Sequence, residues 1–387
     1  MTDEQRRARL GIRHRLAAPA PDALETTRSM LALHSSDPTT VFLAIWARVP
    51  GFETADLERL LYDDRSLLRI YGMRRTLWVV DKATVPIVHC STTQALGVAE
   101  RKRTIGLIER FGVSDDGAAW LDRMIPLVRA FIADRGEVLA RDLSAEIPEL
   151  AEKITFLNKA GRPMGTTGMS SRALTQLALE SRVIRTRPAG TWISGQYRWA
   201  DMETWLGGPI DQLAPEDARA DLVSRWLRVF GPGTEADLKW WTGWPVREVR
   251  AALARVSAVE VETGDGIALL HPDDLDPVEV PESWVALLPA LDPTTMGWKE
   301  REWFLGAHGP ELFDRNGNAG PTIWADGRIV GGWAQRADGE VVYELVEEVG
   351  RDIVNAIVER IADLRGWLGD VTIKPRFRSP LHDRLAR

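Results

Sequence analysis

The chain is short of the residues on which most cofactor and covalent chemistries are built. Its 387 residues include one cysteine, Cys90. No internal disulfide can form, and zinc sites made from paired cysteines are excluded. Next to His89, the Cys90 thiol reads as a buried, inert group rather than a nucleophile. No apolar run approaches the length that spans a bilayer. The opening residues, MTDEQRRARLGIRHRL, are charged and have no apolar stretch of the kind found in a secretory signal. A cytoplasmic protein without membrane attachment is expected. The sequence has no P-loop, no dinucleotide-binding glycine fingerprint, no zinc-ligand spacing and no GxSxG elbow. Surplus positive charge is also missing: 49 Lys and Arg stand against 56 Asp and Glu, a net charge of −7. This argues against a protein that coats nucleic acid indiscriminately, because phosphate binding needs clustered Lys and Arg.

Local basic clusters are nevertheless present. They are Arg6, Arg7, Arg9, Arg13 and Arg15; Arg74 and Arg75; Arg101, Lys102 and Arg103; Arg182, Arg185 and Arg187; and Lys374, Arg376 and Arg378. Any one of them could be plain solvated surface, and together they could form a basic face. Tryptophan is abundant, with 16 residues, and most should pack in the core.

The clearest structural unit covers residues 215–270. APEDARADLVSRWLRVF has the spacing of an amphipathic helix, and GPG breaks it. Thr234 caps EADLKWWTG, which Gly243 ends, and Pro245 opens VREVRAALARV. Two β-rich runs then flank a Gly-Asp-Gly turn. Three helices and a hairpin is the winged-helix order, in which the third helix reads the groove. The order also occurs earlier. Residues 118–134 and EVLARDLSAEI form helices, residues 149–165 a long connection, GMSSRALTQLALES a helix capped by Thr166 or Thr167, and RVIRTRPAGTWISGQYRW a hairpin. Arg172 and Gln176 are one helical turn apart, so both suit an exposed face that meets base edges or phosphates. A first copy opens with DALETTRSMLAL, PTTVFLAIWARV and TADLERLLYDD, followed by a hairpin turning near Gly72. The last third differs. WVALLPAL, TIWADGRIVGGWA, VVYELVEEV and VTIKPRF are strand-like, DIVNAIVERIADLRGWL is helical, and a small barrel carrying one helix is expected. The expected fold is therefore α+β. It has winged-helix units at 1–115, 116–208 and 209–275, and a β-rich C-terminal domain at 276–387.

The segment with the most chemical interest is Leu33-His34-Ser35-Ser36-Asp37-Pro38, between two helices of the first unit. Asp37 followed by Pro38 is a helix start, and His34 falls where a preceding helix would end. A purely structural role accounts for these residues. Alternatively, His34, Ser36 and Asp37 hold a water, with His34 as base.

The segment resembles the winged-helix DNA glycosylase family typified by AlkZ and YcaQ. In that family a Gln-x-Gln or Gln-x-Asp motif precedes a proline, and an apolar helix containing a tryptophan follows. LHSSDPTTVFLAIWARV fits this frame without a gap, with His34 on the first motif position and Ser36 on the second. Arg74-Arg75-Thr76-Leu77, FGPGTEADLKWWTG, LLPALDPTTMGW and TIWADGRIVGGW are also similar to family segments. The resemblance implies tandem winged helices with a C-terminal β-domain. It also implies hydrolysis of the N-glycosidic bond of N7- or N3-alkylated purines and of crosslink adducts, without metal or cofactor. The expected partner is damaged double-stranded DNA at the nucleoid, bound by a monomer. His34 would be base or water-positioner, with Ser36 or Asp37 assisting. Arg74, Arg75, Arg172, Gln176, Arg182, Arg185 and Arg187 would contact DNA. His-Ser-Ser in place of Gln-x-Gln also leaves open a DNA-binding protein without catalysis, such as a regulator or damage-recognition factor.

Overall fold

The computed structural model describes residues 1–158 and 160–387. An opening helix, α1 (Asp3–Arg13), precedes the first unit. That unit comprises α2 (Ala23–Ser29), β1 (Leu33–His34), α3 (Pro38–Trp46), α4 (Thr54–Glu58, continued by a π-helical turn to Asp63), β2 (Leu67–Tyr71) and β3 (Leu77–Asp81). Two helices, α5 (Val85–Val88) and α6 (Gln94–Arg110), lead to the second unit. It holds α7 (Gly117–Arg135), α8 (Ala140–Glu146), β4 (Lys153–Leu157), β5 (Pro163–Gly168), α9 (Met169–Leu179), β6 (Val183–Pro188) and β7 (Tyr197–Asp201). After α10 (Met202–Leu206) comes the third: α11 (Pro215–Phe230), α12 (Glu235–Thr242), α13 (Val246–Val256), β8 (Val259–Thr263) and β9 (Gly266–Leu270). The remainder consists of β10 (Val285–Leu288), α14 (Glu302–Leu305), α15 (Gly309–Leu312), β11 (Thr322–Ala325), β12 (Arg328–Gln335), β13 (Val341–Leu345), α16 (Arg351–Leu368) and α17 (Pro380–Leu385). No helix among the described residues is long and apolar enough to cross a membrane.

Local chemistry sets these boundaries. Thr234 and Asp237 form a reciprocal capping box at the start of α12, and Gly243 ends it at a left-handed φ of 76°. Pairing of Thr263 with Gly266 leaves Gly264-Asp265 as a two-residue hairpin turn. All nine residues of α3 are buried, so this helix is apolar all round rather than striped.

Several expectations change. The helix expected across residues 22–33 stops at Ser29, because Leu31 takes a left-handed φ of 63°, and Leu33–His34 becomes a strand. The connection over 149–165 contains the β4–β5 hairpin, and α9 is capped by the Gly168 backbone instead of by a threonine side chain. The C-terminal strands form an open antiparallel sheet in the order β10-β11-β12-β13, not a barrel. Residues 371–377 are not a strand. Gln335 holds them instead, donating to the Val371 carbonyl and accepting from the Ile373 amide, 3.0 and 2.9 Å. Within α1, Arg6 pairs with Asp265, Arg9 and Arg13 pair with Asp274, and Arg7 donates to the Trp303 carbonyl.

Two apolar cores result. One, from Ile108 to Trp199, belongs to the second unit. The other is continuous through the first unit, the third unit and the C-terminal sheet. At its centre Arg48, just after α3, and Asp292 form an ion pair with both side chains fully buried. Arg48 uses all five N–H donors: to Asp292 twice (2.7 and 2.9 Å), to Thr294 Oγ1 (2.8 Å), and to the carbonyls of His14 (2.9 Å) and Ala44 (2.7 Å). Removing one partner strands the other charge in the core. Arg48→Met and Asp292→Asn are each expected to cost about 3–5 kcal/mol in urea unfolding, and Arg48→Met/Asp292→Leu together less than either alone. Single-variant losses under about 1 kcal/mol would show that the pair does not join these layers.

Candidate active-site junction

β1 is two residues long and pairs antiparallel with β3, Leu33 opposite Val79 and His34 opposite Trp78. The Ser35 amide extends the ladder to the Leu77 carbonyl (2.8 Å). The chain then turns directly into α3. His34 is 3% exposed and meets the Trp78 ring edge-on, centroids 4.8 Å apart. Its Nδ1 accepts the Ser36 amide hydrogen at 3.4 Å, so the neutral ring carries its proton on Nε2. Burial, then the nearby Arg74 charge, lowers its pKa to about 3. The imidazole expected to profit as a cation from a helix end is a neutral N–H donor, because α2 ends before reaching it.

Ser35 points the other way. Its hydroxyl accepts from Arg69 Nε (2.8 Å), whose Nη1 reaches the Tyr62 hydroxyl (3.1 Å) while the guanidinium lies over the Tyr197 ring. Asp37 is 1% exposed and wholly engaged. Oδ1 caps α3 by accepting the Thr39 amide (3.0 Å) and hydroxyl (2.8 Å), and Oδ2 accepts the Arg376 amide (2.7 Å). Arg376 in turn donates from Nη1 to the Ser36 carbonyl (3.3 Å). The junction is thus closed by a segment 339 residues away in sequence. The sequence showed Arg376 only as one member of a basic cluster. Within the His34–Asp37 segment, His34 Nε2 and the hydroxyl of half-buried Ser36 have no partner among the described residues.

The expected DNA contacts are dispersed. Arg74 and Arg75 sit in the Gly72–Thr76 turn with left-handed φ of 54° and 60°, beside His34. Arg75 pairs with Glu100 of α6 (2.7 Å). Arg172 pairs with the same carboxylate and donates to Thr104 (2.9 Å). Gln176 is fully buried and bonds to the Gly97 carbonyl (3.1 Å). The α9 face expected to meet DNA therefore packs against α6. The sequence reading had no element there, and Glu100, the buried carboxylate that holds both arginines, gave no signal of its own. Arg185 is enclosed by Tyr71, Tyr197 and Trp199 at the edge of a cleft of about 390 Å³. Arg187 pairs with Glu58 and Asp63. Arg182 is exposed and lines a separate cleft of about 580 Å³ with His89, Arg101 and Arg129. Of the seven residues, Arg74 and Arg75 lie beside His34, and Arg185 shares the Tyr197 ring with Arg69, which bonds Ser35.

The family model for AlkZ-like DNA glycosylases matches residues 27–367. No curated protein matches by sequence. Among solved structures, the Streptomyces sahachiroi DNA glycosylase AlkZ is similar over 97% of this chain and 98% of that one, with a TM-score of 0.72 and 17% identity. At that identity the likeness concerns the fold.

Burial of neutral imidazoles makes stability depend on pH. His14, buried between Phe230 and Trp298, also has its pKa lowered to about 3, by desolvation first and then by Arg48. For both rings the folded value lies below the ordinary 6.5, so the unfolded chain binds more protons between these limits. Stability is complete above about pH 6.5 and is lost as pH falls toward 3, at about 1.4 kcal/mol per pH unit for each ring. His34→Asn should flatten the dependence of unfolding free energy between pH 6.5 and 5 by about one such increment. An unchanged slope would mean that His34 is protonated in the fold.

Proposed function

The chain belongs to the AlkZ-like DNA glycosylase family, and on that footing we propose that it hydrolyses the N-glycosidic bond of N7- or N3-alkylated purines in duplex DNA, with His34 and Ser36 holding the attacking water. The protein is a DNA glycosylase, and its substrate is DNA. The observation that carries the residue assignment is the short inventory of free groups. Within the His34–Thr40 segment Ser35, Asp37, Thr39 and Thr40 are all bonded internally, whereas His34 Nε2–H and the Ser36 hydroxyl have no partner among the described residues.

An alkylated purine of this kind already carries a positive charge. When the C1′–N9 bond breaks, the base takes the electron pair and leaves neutral, and the sugar becomes an oxocarbenium-like cation. No strong acid is needed. His34 Nε2–H donates to the oxygen of water and orients it toward C1′, and Ser36 Oγ accepts one of the water's hydrogens. As the new C1′–O bond forms, the water's proton passes by way of the Ser36 hydroxyl to solvent. With a pKa of about 3, His34 would be a feeble general base and serves as a fixed dipole. The Asp37 carboxylate places a negative charge in the wall of the junction, where it favours the developing sugar cation. Asp37 therefore acts by field and by holding the frame rather than by proton transfer.

Duplex containing N7-methylguanine should yield abasic sites, read by alkaline strand cleavage. In single turnover His34→Ala is expected to lower the rate about 10²–10³-fold, as for the loss of one preorganised donor, and Ser36→Ala by less. The wild-type rate should show no inflection near pH 6.5, where an imidazole base of ordinary pKa would titrate. Full activity in His34→Ala, or a step at that pH, would refute the assignment.

A further inference from the structure

In a chain with more acidic than basic groups, most arginines of the core face a carboxylate. Beside the junction Arg69 instead meets the hydroxyls of Ser35 and Tyr62, and two half-buried arginines also lack a carboxylate. Arg74 lies over the ring of Trp240 on α12, 4.1 Å from its centroid, and its Nε is buried without a hydrogen-bond partner. Arg301, from the segment before α14, lies over the same ring at 4.8 Å. It donates from Nε to the Trp298 carbonyl (2.7 Å) and from Nη1 to Gly317 (3.3 Å), which leaves Nη2 free. Neither guanidinium has a carboxylate within ion-pair distance among the described residues. Asp237, whose charge acts on Arg301, is fully occupied. Its oxygens accept from the Thr234 amide and hydroxyl and from the amides of Lys299 and Glu300. Burial pulls both guanidiniums down to about 10, and Arg301 further feels Arg74.

Two half-buried like charges that share one aromatic ring repel each other and have lost part of their hydration. The fold nevertheless holds them there. Arg74 is presented by a turn in which it and Arg75 both take left-handed φ, locked by bonds from Gly72 N to Thr76 O and from Trp78 Nε1 to Met73 O. Arg301 is tethered through two backbone carbonyls. Three regions of the chain converge to keep the charges together, at a cost that a bound anion would relieve.

We propose that Arg74, Arg301 and Trp240 form a phosphate-holding site beside His34 that takes a backbone phosphodiester of the DNA strand carrying the target base. Placing that phosphate next to the reacting nucleotide rests on the glycosylase reading of His34; the existence of the phosphate site does not. Free donors are available for two phosphate oxygens: both Nη of Arg74, and Nη2 of Arg301. The Trp240 ring keeps the two planes from turning away. A phosphate contact fixes the register of the strand without reading its sequence.

The test uses a short, undamaged, fluorescein-labelled duplex and fluorescence anisotropy across a salt series, so no excision is involved. Arg301→Gln should weaken binding about tenfold at moderate salt. It should also make the plot of log K against log salt shallower by about 0.9, the signature of one lost phosphate contact. Arg301→Lys, which keeps the charge, should retain the wild-type slope. If circular dichroism shows Arg301→Gln unfolded, Arg74→Gln gives the same reading. Wild-type slope in a folded Arg301→Gln or Arg74→Gln protein overturns the proposal, as does weaker binding with an unchanged slope. A shallower slope in a protein that excises nothing would uphold the phosphate site and remove only the catalytic reading.

Discussion

Arg48 and Asp292 come from opposite ends of the chain, 244 positions apart, and meet where no water reaches. Their contact determines where the candidate site can be. Arg48 follows the last turn of α3, and Asp292 lies in the LDPTT loop after β10. At the other end of α3, Thr40 donates to the carbonyl of Ala290, 2.8 Å away. The helix is thus pinned to one loop at both ends. Since α3 starts at Asp37-Pro38, the orientation of His34 and Ser36 follows from that loop. His14 joins the same network: its carbonyl accepts from Arg48 and its ring bonds to Thr294 (2.9 Å). An isolated pair of this kind contributes little net stability, because desolvation offsets the attraction. With every donor of Arg48 satisfied, any seating of the first unit on the C-terminal sheet that separated the pair would leave a charge buried without its partner.

The distribution of paired arginines has a second consequence. Glu100 holds Arg75 and Arg172 together, and so clamps the second unit to the turn that carries Arg74. The charges that hold the units together are neutralised and cannot attract DNA. Arg74, Arg301 and exposed Arg376, which have no carboxylate partner among the described residues, lie around the His34–Asp37 segment. An acidic protein can in this way keep positive potential at particular places despite its net charge.

Much of this organisation was legible in the residues. The third unit could be read almost to the residue, because its punctuation is local: Thr234 with Asp237, Gly243, Pro245 and the Gly-Asp turn each act within a few positions. The position of the junction could also be read, from Asp37 before Pro38. What could not be read depends on distant partners. Nothing near Gln176 announces that its amide will meet the Gly97 carbonyl. Nothing near Asp37 shows that its second oxygen will bind the Arg376 amide. The strand at Leu33–His34 exists only because β3 is there to receive it. Its two residues, one of them a histidine, carry no β-pattern of their own.

The departure from Gln-x-Gln then takes on a physical meaning. A glutamine side chain offers a neutral N–H donor and a neutral acceptor, and it does not titrate. An exposed histidine would differ in every respect near pH 6.5. Buried against Trp78 and next to Arg74, His34 stays uncharged, and the Ser36 amide holds its proton on Nε2. Under the proposed chemistry it therefore presents the same kind of group that an amide would, a fixed uncharged donor, and Ser36 supplies the hydroxyl acceptor. The lack of charge on the imidazole suits a base that is cationic until the C1′–N9 bond breaks. A protonated ring would repel both the alkylated base and the sugar cation, so the environment that depresses its pKa also makes it compatible with the reaction.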